Sequence, residues 1–188
     1  MAEENLQELK KGLDVEIVNI VVSTGLGHDI PLEKMAATFS NTEYNPEQFP
    51  GLVIRIKEPK TSALIFSSGN VVCTGAKSLE EVRQSLEKIK ETLKKIKINI
   101  TITPEIHIQN MVASGSINMD LNLNVLAMKL DNTEYEPEQF PGLVYKLNKA
   151  KATFLLFSNG KIVCTGTKSE ADIYKAVHML IDVLKNLK

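Results

Sequence analysis

The segment EYNPEQFPGLV at Glu43–Val53 returns as EYEPEQFPGLV at Glu134–Val144, 91 residues later and identical at ten of eleven positions. The same offset carries Val72-Cys73-Thr74-Gly75 onto Val163-Cys164-Thr165-Gly166, and Asn19-Ile20-Val21 onto Asn110-Met111-Val112. Three separate matches share one offset, so the chain is a tandem duplication. Whatever the first copy builds, the second must build as well. A period this long lies outside the ~20–50 residues of solenoid and propeller units, and two copies do not make an array. The expected organisation is a polar leader at 1–13, a first repeat at 14–104 and a second at 105–188, packed as one compact body.

Within each repeat the pattern alternates between strand and helix signals. Residues 1–13 read as a frayed polar leader or a short helical turn. Glu16–Ser23 is rich in β-branched residues and predicts a strand. Pro31–Asn41 has helical spacing through Leu32, Met35, Ala36 and Phe39, with Asp29 as a candidate cap. Tyr44–Gly51 holds two prolines and a glycine and predicts a turn-rich projection. Strands follow at Leu52–Lys57, Ser62–Ser67 and Asn70–Thr74. Ser68-Gly69, and Asn159-Gly160 in the second copy, mark hairpins; Asn-Gly favours the positive φ of a type I′ turn. Ser78-Leu79-Glu80-Glu81 is a capping-box pattern. It opens a long helix with Val82, Leu86, Ile89, Leu93 and Ile96 on one stripe, matched from Ser169 by Ile173, Val177, Leu180, Ile181 and Leu184. The fold class is α+β, with helices on one side of an antiparallel sheet.

Alternation along the strands then gives an unusual result. Successive side chains point to opposite faces, so Ile20, Ala63, Ile65, Val71 and Cys73 belong to one face and Asn19, Val21, Leu64, Phe66, Val72 and Thr74 to the other. A sheet with helices on one side and water on the other should carry charge on its wet face. Here that face is apolar, interrupted only by small neutral polar groups. Repeat two agrees at Asn110, Val112, Leu155, Phe157, Val163 and Thr165. Either both faces are covered by protein, or an exposed apolar surface marks a binding site. Apolar wedges are used by proteins that enter the DNA minor groove, where A·T pairs offer only acceptors and G adds an amino donor. Asn19 and Asn110 can donate through their amides, Thr74 and Thr165 through hydroxyls. A close apolar floor would disfavour the G amino group, which would lose water and find no partner. A duplicated fold also suits a ligand that is itself nearly twofold, as duplex DNA is.

Composition excludes more than it proposes. The net charge of −1 is spread evenly, with −1 in residues 1–13 and zero in each repeat, and a nucleic-acid binder usually shows a basic excess. No apolar run approaches the ~18 residues of a membrane span, and the polar, acidic N-terminus is unlike a signal peptide, so a soluble intracellular chain is expected. Cys73 and Cys164 occupy equivalent positions and make no zinc site with nearby histidines. His28, His107 and His178 are scattered and unrelated by the 91-residue offset. Gly25-Leu26-Gly27 lacks the third glycine of a dinucleotide loop. Nothing favours an enzyme, a cofactor or a metal.

The repeated EYNPEQFPGLV/EYEPEQFPGLV, VVCTGAKS/IVCTGTKS and VNIV/QNMV segments resemble TATA-box-binding proteins of the archaeal type, over about residues 14–187. The resemblance implies a pseudo-twofold saddle: a curved ten-stranded antiparallel sheet with four helices on its convex face and DNA on its concave one. It implies central base contacts from Asn19 and Asn110 beside Thr74 and Thr165. Val21, Val72, Val112 and Val163, with Leu64 and Leu155, would line the groove floor. Phe49 with Phe66, and Phe140 with Phe157, would pry open the end base steps and bend the duplex. Arg55, Lys60, Lys77, Lys146, Lys151 and Lys168 match basic positions for phosphate contacts. Glu136 and Glu138 match positions that bind transcription factor B, with Gln139 where an apolar residue is usual. The implied role is transcription initiation at an A/T-rich promoter element, with RNA polymerase reached through the initiation complex. A cytoplasmic, chromosome-associated location follows from it, while a homodimer through the exposed faces in the absence of DNA stays open. Two other readings compete: a protein-interaction module that holds a helix or sheet on the apolar face, and a small-ligand carrier on the same scaffold.

Overall fold

The β-branched runs become strands and the amphipathic stripes become helices, in the order the repeat demands. The computed structural model describes residues 2–187. The elements are α1 (Ala2–Lys10), β1 (Asp14–Gly25), α2 (Leu32–Thr38), β2 (Thr42–Glu43), β3 (Leu52–Ile56), β4 (Thr61–Ile65), β5 (Asn70–Ala76) and α3 (Leu79–Lys95). The second copy follows with β6 (His107–Ser116), α4 (Leu123–Lys129), β7 (Thr133–Glu134), β8 (Leu143–Leu147), a 3-10 turn (Asn148–Ala150), β9 (Ala152–Leu156), β10 (Lys161–Thr167) and α5 (Glu170–Asn186). The class is α+β with ten antiparallel strands, as expected. Among the described residues there are five α-helices rather than four, because the polar leader folds into α1.

The chain forms two compact units, Asn19–Gln109 and Met1–Val18 with Asn110–Lys188. In the first the strands are hydrogen-bonded in the order β2-β3-β4-β5-β1, and in the second β6-β10-β9-β8-β7. Each helix stripe lands on the face set aside for it. Val82, Leu86, Ile89, Leu93 and Ile96 of the first unit are buried, as are Ile173, Val177, Leu180 and Leu184 of the second; Ile181 is only half-buried. α3 lies on the Cys73 face, where the Thr61 and Ser85 hydroxyls meet at 2.7 Å. In the second unit α1 packs along α5. Lys10 pairs with Glu170 and lies over the Tyr174 ring, whose hydroxyl donates to the Val15 carbonyl, while His178 contacts the Leu9 carbonyl at 2.8 Å.

Several local expectations need correction. Asp29 does not cap α2: Pro31 occupies that position and no side chain caps the helix. Its counterpart in α4 is capped, because Asn122 accepts from the Val125 N–H. The hairpins are not type I′. Only Gly69 and Gly160 take positive φ, and Phe66 bonds to Asn70 as Phe157 does to Lys161, which leaves three-residue loops closed by a left-handed glycine. The capping box of α3 is stretched by one residue. Ser78 accepts from the Glu81 N–H, but the Glu81 carboxylate reaches back to the Lys77 N–H. The two-residue strands β2 and β7 pass unnoticed in the sequence, being too short for alternation to register.

The repeats differ most in the core position filled by Ala63 in β4 and by Phe154 in β9, both fully buried. Truncating a buried Phe costs about 3–5 kcal/mol, whereas removing a serine cap costs about 1 kcal/mol. Phe154→Ala should therefore lower the urea midpoint several times more than Ser169→Ala, whose hydroxyl caps α5 through the Asp172 N–H. Equal losses in the two variants would show that Phe154 is not a keystone of its core.

Candidate nucleic-acid interface

In each unit one face of the strands is sealed by helices and the other is not. Ile20, Val22, Ala63, Ile65, Val71 and Cys73 are buried on the sealed side, while Asn19, Val21, Leu64, Phe66, Val72 and Thr74 remain half-buried on the other. Register turns that second face into rows. Val53 stands opposite Leu64 and Leu64 opposite Val72, so three apolar side chains cross β3, β4 and β5 in line. Two residues along, Arg55, Ser62 and Thr74 make a parallel polar row. The second unit repeats both, as Val144-Leu155-Val163 and Lys146-Thr153-Thr165. Val53, Val144, Ser62 and Thr153 were missed as face residues in the sequence. Alternation along β3, β4, β8 and β9 carried the signal.

The asparagines sit beside a strand irregularity. β5 carries one extra residue against β1 between the Val22–Cys73 and Ile20–Ala76 pairs, a β-bulge at Thr74-Gly75. Gly75 has φ +96°, and Gly166 at the matching bulge of β10 has φ +93°, a conformation side chains rarely adopt. Each bulge frees a glycine N–H from the ladder. Asn19 Oδ1 accepts it from Gly75 at 2.7 Å, and Asn110 Oδ1 from Gly166 at 2.9 Å. Thr74 and Thr165 hydroxyls lie 3.3 and 3.4 Å from the same oxygens. With the carbonyl end of each amide held by a backbone donor, the NH2 end is the one left to donate. In the second unit it also reaches Thr165 Oγ1 at 3.0 Å.

The phenylalanines pair as edge-to-face rings. Phe49 and Phe66 have centroids 5.9 Å apart at 66°, Phe140 and Phe157 5.9 Å apart at 70°. Phe49 and Phe140 are each 43 % exposed, a cost in apolar surface incurred identically in both repeats. Glycine makes the pairing possible. A Cβ on Gly51 would stand 2.7 Å from Phe49 and 3.1 Å from Phe66, and a Cβ on Gly142 would meet Phe140 and Phe157 at the same distances. The turn before each outer ring is fixed by its own backbone: the Phe49 N–H donates to the Asn45 carbonyl, and the Phe140 N–H to the Glu136 carbonyl.

The family model described as transcription factor TFIID (or TATA-binding protein, TBP) matches this chain twice, at residues 14–96 and 105–187. The chain belongs to the TATA-binding protein family. It is 49% identical to the TATA-box-binding protein of Methanocaldococcus jannaschii over 175 residues, 93% of this chain and 96% of that one. It is also 49% identical to the TATA-box-binding protein of Archaeoglobus fulgidus, over 92% of this chain and 96% of the relative. The solved structure titled Methanococcus jannaschii TBP superposes with a TM-score of 0.86 over 93% of this chain and 99% of that one. The family is one of transcription factors, and the chain is not an enzyme.

Around the open face the charged residues divide into two groups. Arg55 and Lys146 are held by the neighbouring short strands, Arg55 by Glu43 at 3.1 Å and Lys146 by Glu134 at 3.6 Å. These pairs are exposed and so contribute little to stability. Lys60, Lys77, Lys151 and Lys168 are exposed and make no ion pair among the described residues. Lys60 borders a cavity of about 420 Å³ with Arg55, Lys57, Ser62 and Thr74. Glu136, Glu138 and Gln139 lie exposed on the Phe140 turn. Among the described residues no His, Cys, Asp and Glu cluster could hold a metal, and no helix is long and apolar enough to cross a membrane.

Cys73 and Cys164 are fully buried free thiols on the helix side. Burial pushes Cys73 up to about 11, partly offset by Ser85, and Cys164 up to about 12. Each stays a neutral thiol in the folded chain, while an unfolded thiol ionises from its ordinary value near 9.0. Their contribution to stability is therefore intact below pH ~9 and is lost as pH rises through the folded values. Iodoacetamide at pH 8 should leave both unmodified in the native protein and alkylate both in urea. Rapid native-state labelling at either site would contradict the buried placement.

Proposed function

We propose that the chain binds an A/T-rich promoter element in the DNA minor groove, bends it, and so initiates assembly of the transcription machinery. The observation that carries this reading is the fixed asparagine pair. Asn19 and Asn110 each turn a donor away from a bulge-held carbonyl, in a field of half-buried valines and leucines. A·T pairs present only N3 and O2 acceptors in the minor groove and accept such donors. A G·C pair adds an amino group that would be desolvated against Val21, Val72, Val112 and Val163 without a partner, at a cost of about 1–3 kcal/mol. Neutral groups read the base pairs, so the near-zero net charge is no obstacle.

Phe49 with Phe66, and Phe140 with Phe157, serve as the wedges that unstack base steps, and Leu64 and Leu155 extend the apolar floor. Arg55, Lys60, Lys77, Lys146, Lys151 and Lys168 take phosphates. Arg55 and Lys146 then exchange their glutamate partners for the duplex backbone. The archaeal relatives named TATA-box-binding protein support the element, and the exposed Glu136, Glu138 and Gln139 support transcription factor B as partner on the second projecting turn. RNA polymerase joins through that complex on the chromosome. Without DNA the same apolar faces favour a homodimer.

A duplex carrying dyes at its ends tests binding and bending together. An A/T-rich promoter duplex should bind with a large rise in energy transfer, and a G/C-substituted duplex should bind far more weakly. Equal affinity with no bend would sink the reading. Phe66→Ala with Phe157→Ala should reduce bending more than stability. Asn19→Asp with Asn110→Asp keeps the acceptors for Gly75 and Gly166 but removes both outward donors and adds charge. That variant should stay folded and lose at least ~10-fold in affinity, the equivalent of ~1.4 kcal/mol. Unchanged DNA affinity in the aspartate variant would refute the asparagine assignment.

A further inference from the structure

The 91-residue repeat is kept at the Asn, Val, Leu, Phe and Thr74/Thr165 positions of the open face but is broken at one cavity of the second unit. Lys149, Lys151, Lys168 and Lys175 line a space of about 500 Å³ with Thr167 and Asp172, between the 3-10 turn and the start of α5. The corresponding residues of the first unit are Glu58, Lys60, Lys77, Gln84, Ala76 and Glu81. Four lysines and one aspartate thus replace two lysines and two glutamates. A second asymmetry lies beneath the charge. In the first unit the Thr61 and Ser85 hydroxyls satisfy each other; in the second these positions are Ala152 and Ala176, and a hydroxyl appears instead at Thr167. Thr167 is 4 % exposed, lines the cavity, and its Oγ1 is the one buried side-chain polar atom without a partner among the described residues. A buried hydroxyl left unpaired is costly and calls for an explanation. Turned toward the cavity, the Thr167 hydroxyl would find its partner in a bound anion.

Resting on the minor-groove reading above, we propose that this cavity holds a backbone phosphate of the duplex beyond the bent box, on the flank nearer the second repeat. Lys151 and Lys168 belong both to the cavity and to the proposed phosphate-contact set, and so link the two. Lys149 and Lys175 extend that track and have no basic counterpart in the first unit. The contact gives a duplicated protein a direction, because only the second repeat presents four lysines here.

The experiment compares three duplexes: the A/T-rich box alone, and the box lengthened on one side or on the other. Protein orientation is fixed by a cleavage reagent tethered to a single introduced cysteine. Wild-type protein should gain affinity from the flank beside the second repeat, with a log–log salt slope steeper by about 0.9 for the added phosphate. Lys149→Gln with Lys175→Gln should lose that gain and keep its affinity for the box alone. Glu58→Lys with Gln84→Lys should create a matching gain on the opposite flank and weaken the directional preference. A wild-type protein that gains equally from either flank, or a lysine variant that retains the full gain, overturns the proposal while leaving the minor-groove reading intact. Failure to bind any of the three duplexes would overturn both.

Discussion

Two backbone N–H groups displaced from the β-ladder decide which way the asparagines of the open face are turned. The bulges in β5 and β10 each free one glycine N–H, and an asparagine from the adjoining strand supplies the acceptor. An amide side chain has a donor end and an acceptor end of nearly the same shape. Held at the oxygen, it can show only its donor outward. Only a residue free to adopt φ near +95° can make the bulge, so Gly75 and Gly166 fix the polarity of Asn19 and Asn110 from beneath. The orientation of both amides is thus set by the backbone and not by the flexibility of a surface side chain.

The second constraint is one-sided packing. Each helix stripe has enough apolar surface to seal one face of its sheet, and α1 adds to the covering of α5 rather than to the open side. Valine, leucine and phenylalanine side chains are consequently left half-buried in rows that the strand register aligns across β3–β5 and β8–β10. Exposed apolar rows are unfavourable in water. Their repetition at the 91-residue offset, together with the glycine-backed phenylalanine pairs, is what supports the proposed ligand-binding role of this face.

Much of this was legible in the sequence because period-two alternation needs only residue types. It separated Val71 and Cys73 from Val72 and Thr74, and the repeat supplied an internal control for every assignment. Alternation could not show what lies between strands. The bulge is a register event, invisible until Val22 is paired with Cys73 and Ile20 with Ala76. The ion pairs of Arg55 and Lys146 depend on two-residue strands too short to leave a pattern. Turn chemistry misled at Asn159-Gly160, where the local preference for a type I′ turn gave way to a three-residue loop. The leader's helix formers allowed a short helical turn, but its docking on α5 through Lys10, Leu9 and the Tyr174 ring is a tertiary contact that local propensity does not reveal. The exchange of Thr61 and Ser85 for Thr167 was written in the sequence. Its meaning required burial.

The central claim is that outward amide donors above an apolar floor read the absence of a G amino group in the minor groove. Replacing A·T pairs of the bound element with inosine·cytosine pairs tests it directly, since inosine removes that amino group while keeping the major-groove edge of guanine. The account predicts that the inosine duplex binds and bends like the A/T-rich one, whereas the guanine duplex does not. An inosine duplex that binds as weakly as the guanine duplex would contradict it and place the recognition elsewhere.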